Sequence, residues 1–202
     1  MPSIVSASGA GGDEGGPRRF TLEEYHKLIQ LGILTEGDNV ELLEGSLVAQ
    51  LPRGVAHDYA ATVLAAELRS LVPEAFVLSP RCALTLPPDS EPEPDHSVAR
   101  GPHALFRHRH PGPADTALVI EVAASSLARD RIDKARVYAR AGLPVYWIVN
   151  VIDKQIEVFT RPSGPCDAPA YAQRDVFAVG ASVPVVLDGD TVGAIAVADV
   201  MG

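Results

Sequence analysis

The sequence predicts an α/β fold in which a mixed β-sheet is flanked by helices. Two observations lead to this prediction. Short apolar runs of strand length alternate with segments whose apolar residues recur at helical spacing. One run, TALVIEVA at 116–123, is apolar almost throughout, which is typical of a central strand covered on both faces. With 202 residues, the chain is long enough for one domain with a large core.

The N-terminal segment is expected to be a disordered leader over residues 1–18, followed by a single domain over 19–202. Its Gly, Ser and Pro content gives it little to bury, and it lacks the basic start and apolar core of a secretory signal. No apolar run reaches about 18 residues, so no transmembrane helix is predicted. Two cysteines without metal-ligand spacing fit a reducing compartment, and we expect a cytoplasmic protein.

A helix and a hairpin are predicted after the leader. Thr21 and Glu24 form a capping-box pattern at the start of a helix over 21–31. The apolar residues on either side of Glu44 and Gly45 then predict a β-hairpin with a tight turn.

The next segment predicts a second helix and three strands. Apolar residues at helical spacing indicate a helix over 56–71, which Pro73 stops. Two short strands are expected at AFVLS (75–79) and CALTLP (82–87), and a third over 95–100.

A third helix is predicted directly after the central strand, over 127–142, with Gly142 as its C-terminal stop. PVYWIVN (144–150) and QIEVFTR (155–161) read as strands joined by a polar turn. The tail over 171–200 contains weaker strand-like runs.

Three carboxylates occupy positions where a strand would be expected to be apolar. Glu41 lies in the hairpin strand, Asp95 follows Pro94 at a strand start, and Glu121 interrupts an apolar run. Each could simply face solvent, but for Glu121 the apolar neighbours leave little room for water. Together the three indicate a site for a hard cation such as Mg²⁺ or Mn²⁺, which prefers carboxylate oxygens.

Lys134 lies on the helix that follows Glu121 and is the fourth candidate. A cation beside a metal site can stabilise the negative charge of a phosphoryl-transfer transition state. The alternative is an ordinary ion pair between Lys134 and Asp130, one helical turn away.

Several motifs then follow one another in a recognisable order between about residues 19 and 160. They are RFTLEEYHKLIQLGIL, VELLEGSLV, the Gly54 and His57 pair, PEPDHSV, VIEVAASS and DRIDKARVYARAGLPVYWIV. In this order they resemble the Uma-two family of restriction endonucleases, a branch of the PD-(D/E)XK nuclease superfamily.

This resemblance implies a restriction-endonuclease-like core and Mg²⁺-dependent (or Mn²⁺-dependent) hydrolysis of phosphodiester bonds in DNA. It implies that Asp95 and Glu121 bind the metal and that Val122 offers its backbone carbonyl. It also implies that Lys134 is the catalytic lysine and that Glu41 completes the site.

The sequence departs from the pattern that the resemblance implies at several positions. The superfamily lysine two residues after the glutamate is replaced by Ala123. Ala124 and Asn150 stand where the family often has serine and aspartate. Neither change removes an expected metal ligand. Ser125 and Ser126 are expected to cap the following helix rather than to act as nucleophiles.

Four further features keep two interpretations each. His57 could cap or pack a helix, or act as a general base near a metal-bound water. Tyr138 could line the cleft or the edge of the core. Of Tyr146 and Trp147, which alternate in facing, one is expected in the core and the other at a dimer interface. The stretch RHRH at 107–110 could contact phosphates or form a solvated loop.

The net charge of −9 excludes a general nucleic-acid coat but allows a local basic patch. DNA and a second copy of the chain are the expected partners, since nucleases that cut both strands are often symmetric dimers. A different class of function stays open: a catalytically inactive nuclease fold that serves in binding or assembly. A hydrolase acting on another phosphate ester would use the same residues.

Overall fold

A computed structural model describes residues 17–202. The predicted leader, 1–18, therefore lies almost entirely outside the described residues. The helices are α1 (Leu22–Gln30), α2 (Val55–Leu71), α3 (Leu127–Arg129), α4 (Ala135–Arg140) and α5 (Val197–Met201). The strands are β1 (Val40–Leu43), β2 (Ser46–Ala49), β3 (Phe76–Pro80), β4 (His96–Arg100), β5 (Thr116–Ala123), β6 (Val145–Asn150), β7 (Gln155–Pro162), β8 (Tyr171–Ala178), β9 (Ser182–Leu187) and β10 (Asp190–Ala196).

Six strands form the main sheet, in the order β3-β4-β5-β6-β7-β8. β5 and β6 run parallel, and the other neighbouring pairs are antiparallel. All residues of β5 are buried. The predicted mixed sheet with helices beside it, and the central place of the apolar strand, are confirmed. The two hairpins, β1-β2 and β9-β10, form separate two-stranded sheets.

Each face of the sheet has its own apolar cluster. Leu64 and Leu68 of α2 pack with Trp147 on one face, and Tyr138 of α4 packs with Tyr146 on the other. Both aromatic residues of β6 are fully buried, so the expectation that one of them lies at a dimer interface is wrong. The reason is that helices cover both faces of this strand.

The predicted hairpin and first helix are present. Thr21 and Glu24 form the reciprocal capping box at the start of α1. Glu44 and Gly45 have φ values of 48° and 75°, so both turn residues are left-handed, as a two-residue hairpin loop requires. The backbone of Phe20 passes so close to Gly45 that a Cβ there would lie 3.0 Å from the Phe20 carbonyl oxygen.

One predicted strand is absent. Residues 82–87 (CALTLP) form a loop in which Leu84 and Leu86 are fully buried. The Leu84 N–H bonds the Pro92 carbonyl, while Leu86 exchanges hydrogen bonds with Ser90. The alternation of apolar residues therefore reflects burial of two leucines, without one continuous partner strand. In residues 17–202, none of the helices has the length and apolar character needed to cross a bilayer.

Candidate active site

The candidate site lies where β4 and β5 part. Their ladder ends at the pair His96 and Ile120, before β5 itself ends. Beyond that pair, the N–H of Val122 donates to Asp95 Oδ2 at 2.8 Å. The Asp95 carboxylate thus takes the place of a strand partner. The gap between the two strands opens into a cleft lined by Asp95, Glu121 and Val122.

Glu121 stands on the face of β5 that α4 covers, and it is 4 % exposed. Its Oε1 atom accepts hydrogen bonds from Lys134 Nζ at 2.9 Å and from the Tyr138 hydroxyl at 2.6 Å. Its Oε2 atom accepts none from residues 17–202. One oxygen of this carboxylate is therefore fixed by the protein, and the other is uncommitted.

Lys134 joins two carboxylates from distant parts of the chain. Its Nζ atom lies 3.2 Å from Glu41 Oε2 and 2.9 Å from Glu121 Oε1, and all three side chains are buried. Glu41 Oε2 also accepts the N–H of Glu93 at 3.2 Å, which ties the β1-β2 hairpin to the segment before β4. Among the ion pairs of residues 17–202, none links Lys134 to Asp130, so that alternative is not the one adopted.

A wide helical turn places Lys134. Residues Asp130–Lys134 form one π-helical segment between α3 and α4, in which the Ala135 N–H reaches back to the Asp130 carbonyl. Such turns insert one residue into an α-helix and often occur at functional sites. Asp130 is itself buried and accepts the Ser126 hydroxyl at 2.6 Å. The expected capping by the Ser126 side chain is therefore wrong, because that hydroxyl binds a carboxylate instead of a backbone N–H.

Asp95 is held from two further directions. His57 Nε2 lies 3.1 Å from Asp95 Oδ2, and an Arg53 guanidinium nitrogen lies 3.3 Å from Asp95 Oδ1. The other ring nitrogen of His57 lies 3.2 Å from Asp58. The buried ring of His57 packs directly against a candidate metal ligand, and both of its nitrogens lie beside carboxylates. A general-base role for His57 stays a prediction.

Burial sets the protonation of the cluster. It raises the pKa of Glu121 to about 8, although the nearby Lys134 lowers it, and it raises the pKa of Asp130 to about 6. Burial also pushes up the pKa of Asp95, but hydrogen bonds from His57 and Val122 outweigh it, so that pKa is lowered. The carboxylates raise the pKa of Lys134 against its own burial. Burial therefore disfavours negative charge at Glu121 and Asp130, whereas Asp95 and Lys134 are favoured in their charged forms.

The oxygen donors in the cleft fit a hard divalent cation. Asp95 and Glu121 each present one oxygen that the protein binds weakly or not at all. The carbonyl of Val122 faces the same side of β5 as its N–H. In residues 17–202, no three His, Cys, Asp or Glu side chains are grouped closely enough to enclose a metal ion by themselves. Mg²⁺ commonly binds through one or two carboxylates and keeps several waters, so two carboxylates suffice.

All four predicted catalytic residues, and Val122, line this cleft. Arg53 and Asp130 also line the cleft, although the sequence predicts neither as a site residue and indicates Asp130 only as an ordinary partner of Lys134. Arg53 lies in LPRG, directly before a predicted helix, and Asp130 lies in the DRIDK segment beside Lys134. Both were visible as charged residues, but nothing local shows that they turn toward the cleft.

Comparisons with known proteins give one family match and a structural likeness. A family model described as "Putative restriction endonuclease" (Uma2) matches residues 22–192. A crystal structure described as "a putative nuclease belonging to DUF820", from Anabaena variabilis, has a TM-score of 0.65 at 18 % identity. The likeness covers 90 % of this chain and 97 % of that chain. It confirms the nuclease-like fold. A search of curated proteins finds no significant match.

Proposed function

The chain belongs to the Uma2 family, and from that premise we propose that it is a metal-dependent endonuclease that hydrolyses phosphodiester bonds in DNA. The family description supplies the class of reaction. The cleft supplies the groups that such a reaction uses.

One observation supports the proposal most strongly. The Lys134 ammonium group is buried between Glu41 and Glu121 in the cleft that also contains Asp95. Buried charges are costly unless they are paired and hydrogen-bonded. Gathering these charged side chains beside a solvent-connected cleft would add little to the stability of the fold. Perturbed ionisable groups in a cleft are typical of catalytic sites.

The proposed ligands of the metal ion are Asp95, Glu121 and the backbone carbonyl of Val122. When bound, Mg²⁺ or Mn²⁺ would activate a water molecule and neutralise charge on the phosphate. His57 and Arg53 hold Asp95 in position through both of its oxygens.

Lys134 and Glu41 act together in the proposal. Lys134 presents positive charge at the cleft, where it would stabilise the additional negative charge of the transition state. Glu41 keeps the ammonium group protonated and oriented through its 3.2 Å contact. Tyr138 fixes Glu121 by its 2.6 Å hydrogen bond to Oε1, which leaves the other oxygen for the metal ion.

A second candidate is a nuclease fold that binds without cutting. It is favoured by the position of Lys134, whose ammonium group already balances part of the charge on Glu41 and Glu121 without a metal ion.

Cleavage of supercoiled plasmid separates the two candidates. The wild-type protein is incubated with Mg²⁺ or Mn²⁺ beside an Asp95→Asn/Glu121→Gln double variant and an Asp167→Asn/Glu74→Gln control at exposed positions outside the cleft. Nicking by wild type and control, with none by the double variant, supports the proposal. Equal nicking by all three indicates a contaminating nuclease and contradicts the residue assignment. If no protein nicks DNA, the second candidate is favoured.

Three further expectations remain predictions: a single domain, a cytoplasmic location and a homodimer. For the dimer, two copies would place two clefts on the two strands of a duplex. Light scattering after size-exclusion chromatography measures the mass directly, and a mass of 21.3 kDa would contradict the dimer.

A further inference from the structure

A second groove adjoins the active-site cleft. The two share Arg53, His57 and Asp95 as a common wall. From there the second groove runs between helix α2 and the end of β3, and its lining includes Arg69, Arg81 and the carboxylate of Asp58. A chain that entered the cleft could therefore continue into this groove.

Helix α2 forms one side of the groove with residues one helical turn apart. Ala61 and Ala65 lie on this face together with Arg69, and their small side chains keep the groove open. Twelve residues separate His57 from Arg69, which at 1.5 Å per residue gives a length of about 18 Å. Each DNA strand carries a phosphate about every 3.4 Å of helix axis. The groove is therefore long enough for several phosphates.

Arg81 stands on the opposite side, at the end of β3. Its backbone N–H donates to the Asp95 carbonyl at 3.1 Å, and its φ of 48° is left-handed, a conformation that non-glycine residues rarely adopt. This conformation places Arg81 beside the residue whose side chain is the proposed metal ligand. The position of Arg81 is thus fixed relative to the active site by the backbone.

The charges of Arg69 and Arg81 are not balanced by neighbouring side chains. Arginines elsewhere are largely paired with carboxylates, as Arg100 is with Asp188. Among the ion pairs of residues 17–202, none includes Arg69 or Arg81, and both side chains are exposed. In a chain with a net charge of −9, this groove brings two unpaired arginines together with one exposed carboxylate, Asp58.

We propose that this groove binds the sugar-phosphate backbone of the DNA strand next to the bond that is cut, with Arg69 and Arg81 contacting its phosphates. The identification of the polyanion as DNA rests on the proposed function. Arginine suits this role because its planar guanidinium binds phosphate oxygens in pairs. Contacts of this kind set the register of the strand and do not read sequence.

Binding without cleavage tests the groove. The affinity for a fluorescent 20-base-pair duplex is measured by anisotropy in EDTA over a series of salt concentrations. The groove variant is Arg69→Gln/Arg81→Asn, since asparagine tolerates a left-handed backbone. The matched control is Lys27→Gln/Arg161→Asn, which removes the same charge from one exposed helical site and one exposed left-handed site with a φ of 60°.

The groove variant is expected to bind the duplex at least 10-fold more weakly than the wild type. Its plot of log K against log salt should also be less steep, by about 0.9 for each phosphate contact that is removed. The control is expected to keep the wild-type slope. Equal losses in both variants, a loss only in the control, or no binding by the wild type would overturn the inference. A clear preference for RNA of the same length would also overturn it. Unchanged thermal unfolding of both variants excludes misfolding.

Cleavage assays keep this inference separate from the proposed function. If the wild type cuts DNA, the groove variant is expected to raise KM while kcat at saturating DNA stays close to that of the wild type. If the wild type does not cut but the groove variant alone loses DNA binding, the groove assignment stands and the catalytic proposal fails. If the wild type cuts and the groove variant is unchanged in both assays, the groove assignment fails.

Discussion

Lys134 donates a hydrogen bond to Glu121 at 2.9 Å although both side chains are almost fully buried. The two residues lie on different elements, one on the helical segment after β5 and one on β5 itself. Their contact, together with Glu41, joins the hairpin, the sheet and the helix at one point.

Removal of the lysine charge should therefore destabilise the fold. We expect Lys134→Met to lower the free energy of unfolding by about 3 kcal/mol, because it leaves two buried carboxylates without their cation. Urea unfolding measures the change. Adding Glu121→Gln to this variant should restore part of the loss, whereas Lys154→Met, at an exposed turn, should be neutral. Equal stability of Lys134→Met and the wild type would contradict the described pairing.

Metal binding should depend on Asp95. We expect millimolar Mn²⁺ to raise the thermal unfolding temperature of the wild type, since a ligand that binds only the folded state stabilises it. EDTA should reverse the shift. Asp95→Asn should abolish it, while Asp167→Asn should retain it, because Asp167 is exposed and does not line the cleft. A shift of the same size in Asp95→Asn would exclude this residue as a ligand.

Acid should weaken a separate ion cluster on β7. Glu157 is fully buried and pairs with Arg131 and Arg174. Burial by itself raises the pKa of Glu157, but the hydrogen bonds from Arg131 and neighbouring side chains outweigh burial, so the pKa is lower than the usual 4.5. A lowered folded-state pKa stabilises the fold above pH 4.5, and this stabilisation is lost as the pH falls through the folded-state value. At pH 7 we expect Glu157→Gln to lower the free energy of unfolding by about 2 kcal/mol. The expected loss is moderate because water screens the partly exposed arginines.

The difference between wild type and Glu157→Gln should shrink when unfolding is repeated below pH 4.5. A constant difference from pH 7 to pH 3 would show that charge at Glu157 is not the cause.

The hairpin that carries Glu41 should be sensitive at its turn. We expect Gly45→Ala to destabilise the fold by more than about 1 kcal/mol, because a left-handed alanine is strained and its Cβ would lie 3.0 Å from a backbone oxygen of Phe20. Gly142→Ala is the matched control: it has a φ of 72° but no atom within 4 Å of the added Cβ. Chemical denaturation should rank Gly45→Ala as the more costly change, and the reverse order would contradict the close approach.

Sequence patterns predicted the sheet and most helices because these elements repeat one local rule along several residues. TALVIEVA is apolar at every position but Thr116 and Glu121, and it forms a central strand. CALTLP failed because Leu84 and Leu86 alternate for burial alone, while their backbone groups bond different segments. Alternation reports what is buried and does not report which strand, if any, lies alongside.

The candidate site shows the same division. Asp95, Glu121 and Lys134 could be singled out because charge in an apolar context is visible in the sequence. The partner of Lys134 could not, since regular helical spacing predicts Asp130 and the wide turn changes the direction of the side chain. Arg53 reaches Asp95 across 42 positions of sequence, and no local pattern encodes that contact.

The wide turn at Asp130–Lys134 also makes the contact between Glu121 and Lys134 depend on their spacing along the chain. A relative with one residue fewer in this turn would keep every acidic and basic residue in an alignment. An α-helix turns by about 100° per residue. The lysine of such a relative would nevertheless point a quarter-turn away from the glutamate. Genomic surveys that score residue identity alone would count such a homologue as intact, whereas the spacing of 13 positions separates it.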